Sequence, residues 1–215
     1  RVTVNGAPAR DGAAVVDPEK DEIALDGEAI IYRREMHVML NKPAGVLTAA
    51  NDPRRETVLD LLPCACRALG CMPVGRLDLD TEGLLILTTD GQLAHRLLAP
   101  KNGVEKIYIA EVDGPLRGED VSAFAQGLRL SDFTARPARL EIMPPGNVGR
   151  VTVCEGKFHQ VKRMFLACGR TVTHLKRLTF GGVRLDETLA PGQWRELTAQ
   201  EMKTLRAAAE GNENG

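Results

Sequence analysis

The chain has 215 residues, of which 43% are hydrophobic and 27% are charged, and its formal net charge is -1. This ordinary composition excludes overall disorder, collagen and coiled coil, and no apolar run reaches the roughly 18 residues that a membrane-spanning helix needs. A net charge near zero excludes a protein that finds its partners by bulk electrostatics. The aromatic content of 4% argues against a surface on which many Phe and Tyr rings stack on nucleic-acid bases.

The start of the chain and its cysteines predict the compartment. The first residue is Arg1, and no charged segment followed by an apolar one forms an export signal. We therefore expect a cytoplasmic protein whose natural N-terminus is missing from this sequence. The odd number of cysteines, 5, predicts free thiols in a reducing compartment. Cys64, Cys66 and Cys71 are clustered, but they lack the C-x2-C pairs and the nearby His of zinc sites, so we expect structural thiols and no metal.

The first part of the chain predicts a small module of short strands. In chain order these are Arg1–Val4, Ala14–Val16 and Glu22–Leu25, with turns at Asn5-Gly6 and Asp26-Gly27. We place the end of this module at residue 34.

From residue 36 to residue 210 the pattern predicts a second, larger unit. In chain order its elements are strand His37–Leu40, a turn at Asn41–Gly45, a short helix over Thr57–Leu62, strand Gly83–Thr88, helix Gln92–Leu98, strand Lys106–Val112, helix Glu119–Ala125, a hairpin of Ala138–Met143 and Gly149–Cys154, helix Lys157–Ala167, strand Thr171–Leu178 and helix Thr198–Ala209. Strands and helices do not alternate as regular βαβ units. We therefore expect an α+β fold with a mixed, largely antiparallel sheet flanked by helices. Residues 211–215 should form a disordered tail.

Three acids occupy alternate positions in the segment between Gly75 and Leu84. They are Asp78, Asp80 and Glu82, which share one side if the backbone is extended. They could bind a hard cation, although their spacing does not match a calcium-binding loop, or one of them could be a catalytic carboxylate. A turn whose acids cap backbone amides is the third interpretation, and spacing alone favours it.

Basic residues are concentrated between Arg150 and Leu185, where Glu155 is the only acid before Leu185. Such a local excess fits a polyanion that binds at one place on a neutral protein. A helix starting at Lys157 would carry an apolar stripe on one face and basic residues on another, namely His159, Lys162 and Arg163. The basic face suits contact with phosphate or the fixing of a carboxylate, but an ordinary amphipathic helix explains it equally well.

Four segments, in this order along the chain, resemble the motifs of RNA pseudouridine synthases. Leu40–Val46 resembles the strand that precedes the family's catalytic motif, and Gly75-Arg76-Leu77-Asp78 with the segment up to Gly91 resembles that motif itself. Lys106-Ile107-Tyr108 is similar to the K-x-Y motif, and Glu155–Met164 is similar to the third motif. The resemblance covers about residues 40 to 185. It implies the pseudouridine synthase fold, with residues 36–210 as the catalytic domain.

The resemblance implies that uridine is isomerised within RNA: the N1–C1′ bond breaks, the uracil turns, and it rejoins the sugar through C5. The reaction has no redox change and no net hydrolysis, so no cofactor is expected. The essential carboxylate falls on Asp78, which either attacks the base or sugar or stabilises charge at C1′. Lys162 falls in the position of its cationic partner, which a desolvated carboxylate requires. Tyr108 falls in the position of the tyrosine that stacks on the target uracil.

Further basic residues near these motifs are candidate contacts to RNA. Arg76, beside the catalytic carboxylate, would fill the space that the target base leaves when it swings out of its stack, or hold the adjacent phosphate. We also expect salt-sensitive contacts to the RNA backbone from Lys42, Lys157, Arg163 and Lys176.

Two segments are most similar to the branch of the family that modifies the small-subunit (16S) ribosomal RNA. They are His159–Phe165 and the ending from Gly181-Gly182 to Gly192. Members of that branch carry an N-terminal S4 RNA-binding module, and Arg1–Ile31 resembles the second half of one, including Val4-Asn5-Gly6 and Leu25-Asp26-Gly27. We therefore expect a monomeric enzyme whose partner is small-subunit RNA or its precursor particle.

Three alternatives remain at this point. The first is the same reaction on 23S ribosomal RNA. The second is a non-catalytic RNA-binding or ribosome-assembly protein. The third is a nucleoside or glycoside hydrolase that pairs Asp78 with a second acid, Asp80 or Glu82.

Overall fold

The computed structural model describes residues 1–17, 20–29 and 35–211. Contacts between Cα atoms divide the chain into two compact units, residues 1–34 and residues 35–215. Of the tail predicted over residues 211–215, residues 212–215 lie outside the described part. None of the helices in the described residues combines the length and the apolar character that crossing a bilayer requires.

The first unit is a small antiparallel sheet. Its strands are β1 (Val2–Val4), β2 (Ala7–Pro8), β3 (Ile23–Leu25) and β4 (Glu28–Ala29), in the spatial order β2-β1-β3-β4. Asn5 and Asp26 take left-handed backbone conformations in its two tight turns, which Asn and Asp tolerate better than other non-glycine residues. The strand predicted over Ala14–Val16 is wrong. The backbone before it turns back on Asp11, the described strands do not pair with it, and Val15 is fully exposed.

In its described residues, 35–211, the second unit is built on one large mixed sheet with five α-helices. Its strands are β5 (His37–Lys42), β6 (Met72–Pro73), β7 (Glu82–Thr88), β8 (Lys106–Val112), β9 (Arg139–Met143), β10 (Val148–Val153), β11 (Val172–Phe180), β12 (Val183–Arg184) and β13 (Trp194–Glu196). Its helices are α1 (Cys64–Ala68), α2 (Gly91–Leu98), α3 (Gly118–Gln126), α4 (Gln160–Ala167) and α5 (Ala199–Glu210). The strand order is β13-β5-β7-β11-β8-β10-β9, with β6 paired to β7 and β12 to β11. Among these pairs β7 and β11 run parallel and the others run antiparallel. The expected α+β class with a largely antiparallel sheet is confirmed.

Strand β7 is buried on both faces, which explains its continuous apolar run. In β7, Leu84 and Ile86 belong to one core, which α2 and α5 complete, whereas Leu85 and Leu87 belong to the other, which includes side chains of α3 and α4. This separation follows from the alternation of side chains along a strand. A strand covered on both faces is a rigid support for the loop that precedes it.

Two predicted helices differ from the structure. The segment Thr57–Leu62 forms turns, because the carboxylate of Asp60 accepts hydrogen bonds from the backbone N–H and the hydroxyl of Thr57. The helix in this part of the chain, α1, begins only after it, at Cys64. The helix predicted from Lys157 begins only at Gln160, because His159 has a φ of +50°, in the left-handed region, which ends a right-handed helix. The residues from Lys157 to His159 therefore form a turn in front of α4.

Candidate active site

A cavity of about 100 Å³ opens at the ends of the central strands. Four segments form its wall: the loop before β7, the start of β8, the loop between β10 and α4, and the middle of β11. Most of the wall is apolar, with polar groups contributed by each segment, as is usual for a ligand pocket. Asp78 and Tyr108 both line this cavity. The structure therefore brings together residues that lie on separate motifs of the sequence.

The loop that carries Asp78 is held in place by a buried lysine. Lys42, at the end of β5, is fully buried, and its Nζ donates to the carbonyl oxygens of Asp78, Leu79 and Thr81 at 3.2, 3.3 and 3.0 Å. Burial lowers the pKa of Lys42 to about 8, against the opposing attraction of carboxylates that include Asp80. The expectation that Lys42 contacts the RNA backbone is corrected by this placement, because its amino group is directed inward and has no exposed surface.

Two basic side chains approach the carboxylate of Asp78. Nζ of Lys162 lies 3.2 Å from Oδ2, and Nε2 of His159 lies 3.6 Å from Oδ1. The side chains of Asp78 and Lys162 are 22% and 21% exposed, so this pair is shielded from solvent more than a surface ion pair is. Lys162 also contacts Asp80, whose side chain is largely exposed, and this hydrogen bond lowers the pKa of Asp80 below its ordinary value.

His159 reaches Asp78 from the turn in front of α4. The expectation that His159, Lys162 and Arg163 share one helical face is wrong, since His159 precedes the first helical residue. The ring of Phe158, with centroids 3.8 Å apart, stacks on that of His159, and Phe158 is 70% exposed. Sequence reasoning did not single out Phe158. The sequence did carry a signal for it: Phe158 is an aromatic residue that lies outside the apolar stripe of the helix predicted from Lys157.

A hydrogen-bond network fixes the shape of this turn. Oε1 of the buried Glu155 accepts from Nε2 of Gln160 at 2.6 Å and from the backbone N–H of Arg136 at 2.9 Å. Oε1 of Gln160 in turn accepts from the backbone N–H of Lys157 at 3.0 Å. The motif residues Glu155 and Gln160 thus set the path of the backbone that presents His159.

Two buried cations in the cavity wall were not among the predicted site residues. Lys106, on the same strand as Tyr108, is 7% exposed, and Arg177 on β11 is 2% exposed. Burial and the neighbouring charge of Arg177 lower the pKa of Lys106 to about 8. The signal in the sequence was a charged residue inside a predicted strand, Lys106 in Lys106–Val112 and Arg177 in Thr171–Leu178.

The four other residues expected to contact RNA lie in different surroundings. Arg76 is exposed and lines the cavity. Lys176 is half-buried on β11, in register with Glu82 of β7 and outside the cavity wall.

Lys157 and Arg163 are both engaged by one loop between α3 and β9. Nζ of Lys157 lies 4.0 Å from the centre of the Phe133 ring, and the guanidinium of Arg163 lies 5.0 Å from the same centre. Arg163 also forms an ion pair with Asp132 and donates to Oγ of Ser131 at 2.9 Å. Both cationic groups are thus engaged by this loop, and Lys157 remains exposed.

The described residues contain no cluster of three or more His, Cys, Asp and Glu that could hold a metal ion. The cysteines are free thiols, and Cys66 and Cys71 are buried in the core. Burial raises the pKa of Cys71 to about 12, so this thiol stays protonated and unreactive.

Comparison with known proteins agrees with this geometry. Residues 36–167 match the family model for RNA pseudouridylate synthases. The chain is 46% identical over 208 residues to an uncharacterized RNA pseudouridine synthase of Bacillus subtilis, with 95% of this chain and 87% of the relative covered. It is 41% identical over 211 residues to ribosomal small subunit pseudouridine synthase A of Escherichia coli, with 95% and 89% covered. A crystal structure of a pseudouridylate synthase superposes with a TM-score of 0.75 at 35% identity, covering 95% of this chain and 88% of the other.

Proposed function

This chain belongs to the RNA pseudouridylate synthase family, and from that premise we propose that it isomerises one specific uridine of 16S ribosomal RNA to pseudouridine. One observation carries the proposal. The carboxylate of Asp78, held between Lys162 and His159, opens on a cavity whose wall includes Tyr108. The choice of 16S RNA is supported by the 41% identity to the small-subunit enzyme of Escherichia coli.

In this proposal Asp78 is the group that acts on the target nucleotide. Its carboxylate either forms a bond to the substrate or stabilises positive charge at C1′ while the N1–C1′ bond breaks. The uracil then turns within the cavity and bonds to C1′ through C5. The proton on C5 is lost and N1 gains one, so the atoms balance without a further reactant. Lys162 compensates the negative charge of Asp78 while the base excludes water.

The target base must leave its stack to reach Asp78, because the carboxylate lies inside the cavity. Tyr108 is buried in the wall, where its ring can lie against a base that enters. Arg76 is exposed at the same cavity, and we assign it to the space vacated by the base or to the adjacent phosphate. Replacement of Arg76 by Ala should then reduce turnover of structured RNA much more than turnover of an unstructured oligomer, and an equal loss on both would contradict this role.

Residues 1–34 are proposed to be the second half of an S4-type RNA-binding module. The supporting observations are the turns at Asn5-Gly6 and Asp26-Gly27 between short strands of a compact unit. We further propose that the enzyme is a monomer, that its substrate is the small-subunit RNA or a precursor particle, and that it works in the cytoplasm, where ribosomal RNA of bacteria is made.

The experiment is tritium release from 16S and 23S ribosomal RNA labelled with 5-³H-uridine. Loss of the C5 proton frees tritium to water each time pseudouridine forms. The wild-type chain is compared with Asp78→Asn, Asp80→Asn and Glu56→Gln. Glu56 is an exposed carboxylate outside the cavity and serves as the matched control.

Release from 16S RNA alone, abolished by Asp78→Asn and retained by Glu56→Gln, is the expected result. Release from 23S RNA alone would overturn the choice of substrate. RNA binding without release would support a non-catalytic RNA-binding or assembly protein. Appearance of free uracil, with Asp80→Asn as damaging as Asp78→Asn, would indicate a hydrolase with two acids.

A further inference from the structure

Arg177 carries a donor group that the protein leaves unused. Its side chain is 2% exposed, and Nε donates to the carbonyl oxygen of Leu84 at 2.8 Å. Its Nη2 is fully buried and has no hydrogen-bond partner in the part of the chain that the structure describes. The hydroxyl of Thr81, which is 1% exposed, is in the same situation. Both residues line the cavity that contains Asp78.

Such groups are costly to leave without a partner. A buried donor whose hydrogen bond is missing destabilises the fold by the full price of its desolvation, and a guanidinium carries a charge as well. No described carboxylate lies within ion-pair distance of Arg177 to compensate it, and its guanidinium instead lies 5.2 Å from the centre of the Phe180 ring. Because Arg177 lines the cavity, a substrate group that enters it can supply the partner that this donor lacks in the protein.

The sheet places Arg177 beside the residue that faces the base. Arg177 on β11 is in antiparallel register with Tyr108 on β8, so the two side chains are direct cross-strand neighbours at the cavity. On its other side Arg177 is in parallel register with Gly83, two residues after Thr81. A base packed against the Tyr108 ring therefore has Arg177 and Thr81 within the same small space.

The surroundings favour a neutral acceptor over a phosphate. The cavity wall near Arg177 is largely apolar, with Leu175, Val153 and Phe180. Nζ of the neighbouring Lys106 already donates one hydrogen bond within the protein, to the carbonyl oxygen of Val104 at 2.8 Å. A nucleobase is the part of the nucleotide that enters such a pocket, and its edge is read by hydrogen bonds.

We propose that Nη2 of Arg177 and the hydroxyl of Thr81 donate hydrogen bonds to a carbonyl oxygen of the target uracil, which makes Arg177 a base-binding residue of this enzyme. The inference rests on the proposed function, because it requires uridine as substrate. If the oxygen is O4, the site also rejects cytosine, which presents an amino donor at that position. If the oxygen is O2, Arg177 orients the base without this discrimination.

The test combines protein variants with altered bases. A 16S RNA fragment is prepared with uridine, 4-thiouridine or 2-thiouridine at the target position, since sulfur is a weaker acceptor than oxygen. Wild type, Arg177→Met and Thr81→Val are compared by kcat/KM, with the products resolved by nucleoside chromatography. Thr81→Val removes the hydroxyl at nearly constant side-chain size, so it tests the proposed hydrogen bonding independently if Arg177→Met does not fold. Thermal unfolding of each variant is measured alongside.

One of the two thio substitutions should lower kcat/KM of the wild type by about tenfold, in line with a hydrogen bond to a charged donor. The same thio substitution should lower kcat/KM of the Arg177→Met variant by less than about threefold, because the contact is already lost. In the Thr81→Val variant the thio substitution should lower kcat/KM less than it does in the wild type. Equal thio effects in all three proteins would overturn the inference. So would a phosphorothioate effect at the target nucleotide that disappears in Arg177→Met, since it would assign Arg177 to phosphate. A wild type that converts no uridine at all would instead overturn the proposed function.

Discussion

One amino group serves two carboxylates at the centre of the site: Nζ of Lys162 lies 3.2 Å from Oδ2 of Asp78 and also contacts Asp80. The two acids differ in exposure, at 22% for the side chain of Asp78 and 73% for that of Asp80. The ion pair with Asp80 is therefore screened by water, whereas the pair with Asp78 keeps more of its strength. Lys162 links α4 to the loop before β7 and fixes the direction of the Asp78 carboxylate.

Replacement of Lys162 by Met should lower kcat by about 10- to 100-fold, which corresponds to about 1.4 to 2.8 kcal/mol of transition-state stabilisation. The physical reason is loss of the cation that compensates Asp78. Arg at this position restores the charge with a different geometry, so Lys162→Arg should recover part of the loss. Single-turnover assays on 16S RNA measure both. Recovery by Arg separates an electrostatic role from a packing role, and a Lys162→Met variant with unchanged kcat would contradict the assignment.

The two buried lysines predict a pH dependence of stability. The pKa of Lys42 and that of Lys106 are each lowered to about 8 by burial, whereas a lysine in the unfolded chain titrates near pH 10.4. Between these values the unfolded state holds a proton that the folded state has released. The free energy of unfolding should therefore rise with pH across this window, by up to about 1.4 kcal/mol per pH unit for each lysine. Below about pH 8 both states are protonated and the contribution of each lysine is constant.

Urea unfolding at several pH values in this window measures the effect as a difference between proteins. Lys42→Met and Lys106→Met should each gain less stability with rising pH than the wild type gains. Lys203→Met, at an exposed position on α5, is the matched control and should follow the wild type. If all four proteins change in parallel, neither buried lysine titrates in this range.

Gly83 should not tolerate a side chain, because it lies at the start of β7, where that strand pairs with β11. Its φ is +98°, and an added Cβ would overlap the backbone carbonyl oxygen of Arg177. Gly83→Ala should reduce the free energy of unfolding by about 3 kcal/mol or more, through backbone strain and separation of β7 from β11. Gly70 also has a positive φ, +72°, but no atom lies within 4 Å of its added Cβ. Gly70→Ala should therefore cost only about 1–2 kcal/mol in the same urea titration.

The loop contact to Arg163 should compete with RNA. The carboxylate of Asp132 pairs with the guanidinium of Arg163 that we expect to bind an RNA phosphate, so Asp132→Asn should strengthen RNA binding by about two- to fivefold at low salt, the range of an exposed ion pair. The gain should shrink as salt is raised. Filter binding of 16S RNA tests this, with Glu187→Gln at an exposed position as the control. Unchanged or weaker binding by Asp132→Asn would show that Arg163 does not meet the RNA backbone.

The predictable part of the fold follows from local chemistry. The strand Lys106–Val112 was predicted with the bounds that the structure shows, since its residues alternate between buried and more exposed positions. The helix predicted over Thr57–Leu62 is wrong, because the carboxylate of Asp60 accepts a hydrogen bond from the backbone of Thr57 and turns the chain where apolar spacing indicated a helix. The candidate site was predictable only through resemblance, because spacing alone favoured a plain turn for the acids around Asp78.

By itself, the sequence determined the fold class, most of the strands and helices, and the identity of the motif residues, since side-chain periodicity, turn residues and motif order are local properties of the chain. The tertiary structure alone decided which way those residues point. Lys42 turns inward because three carbonyl oxygens of the Asp78 loop converge on it. His159 reaches Asp78 because its backbone is left-handed. Nη2 of Arg177 stays without a hydrogen-bond partner among the described residues, although Nε donates to Leu84 on the adjacent strand, and that outcome depends on strand pairing between distant segments.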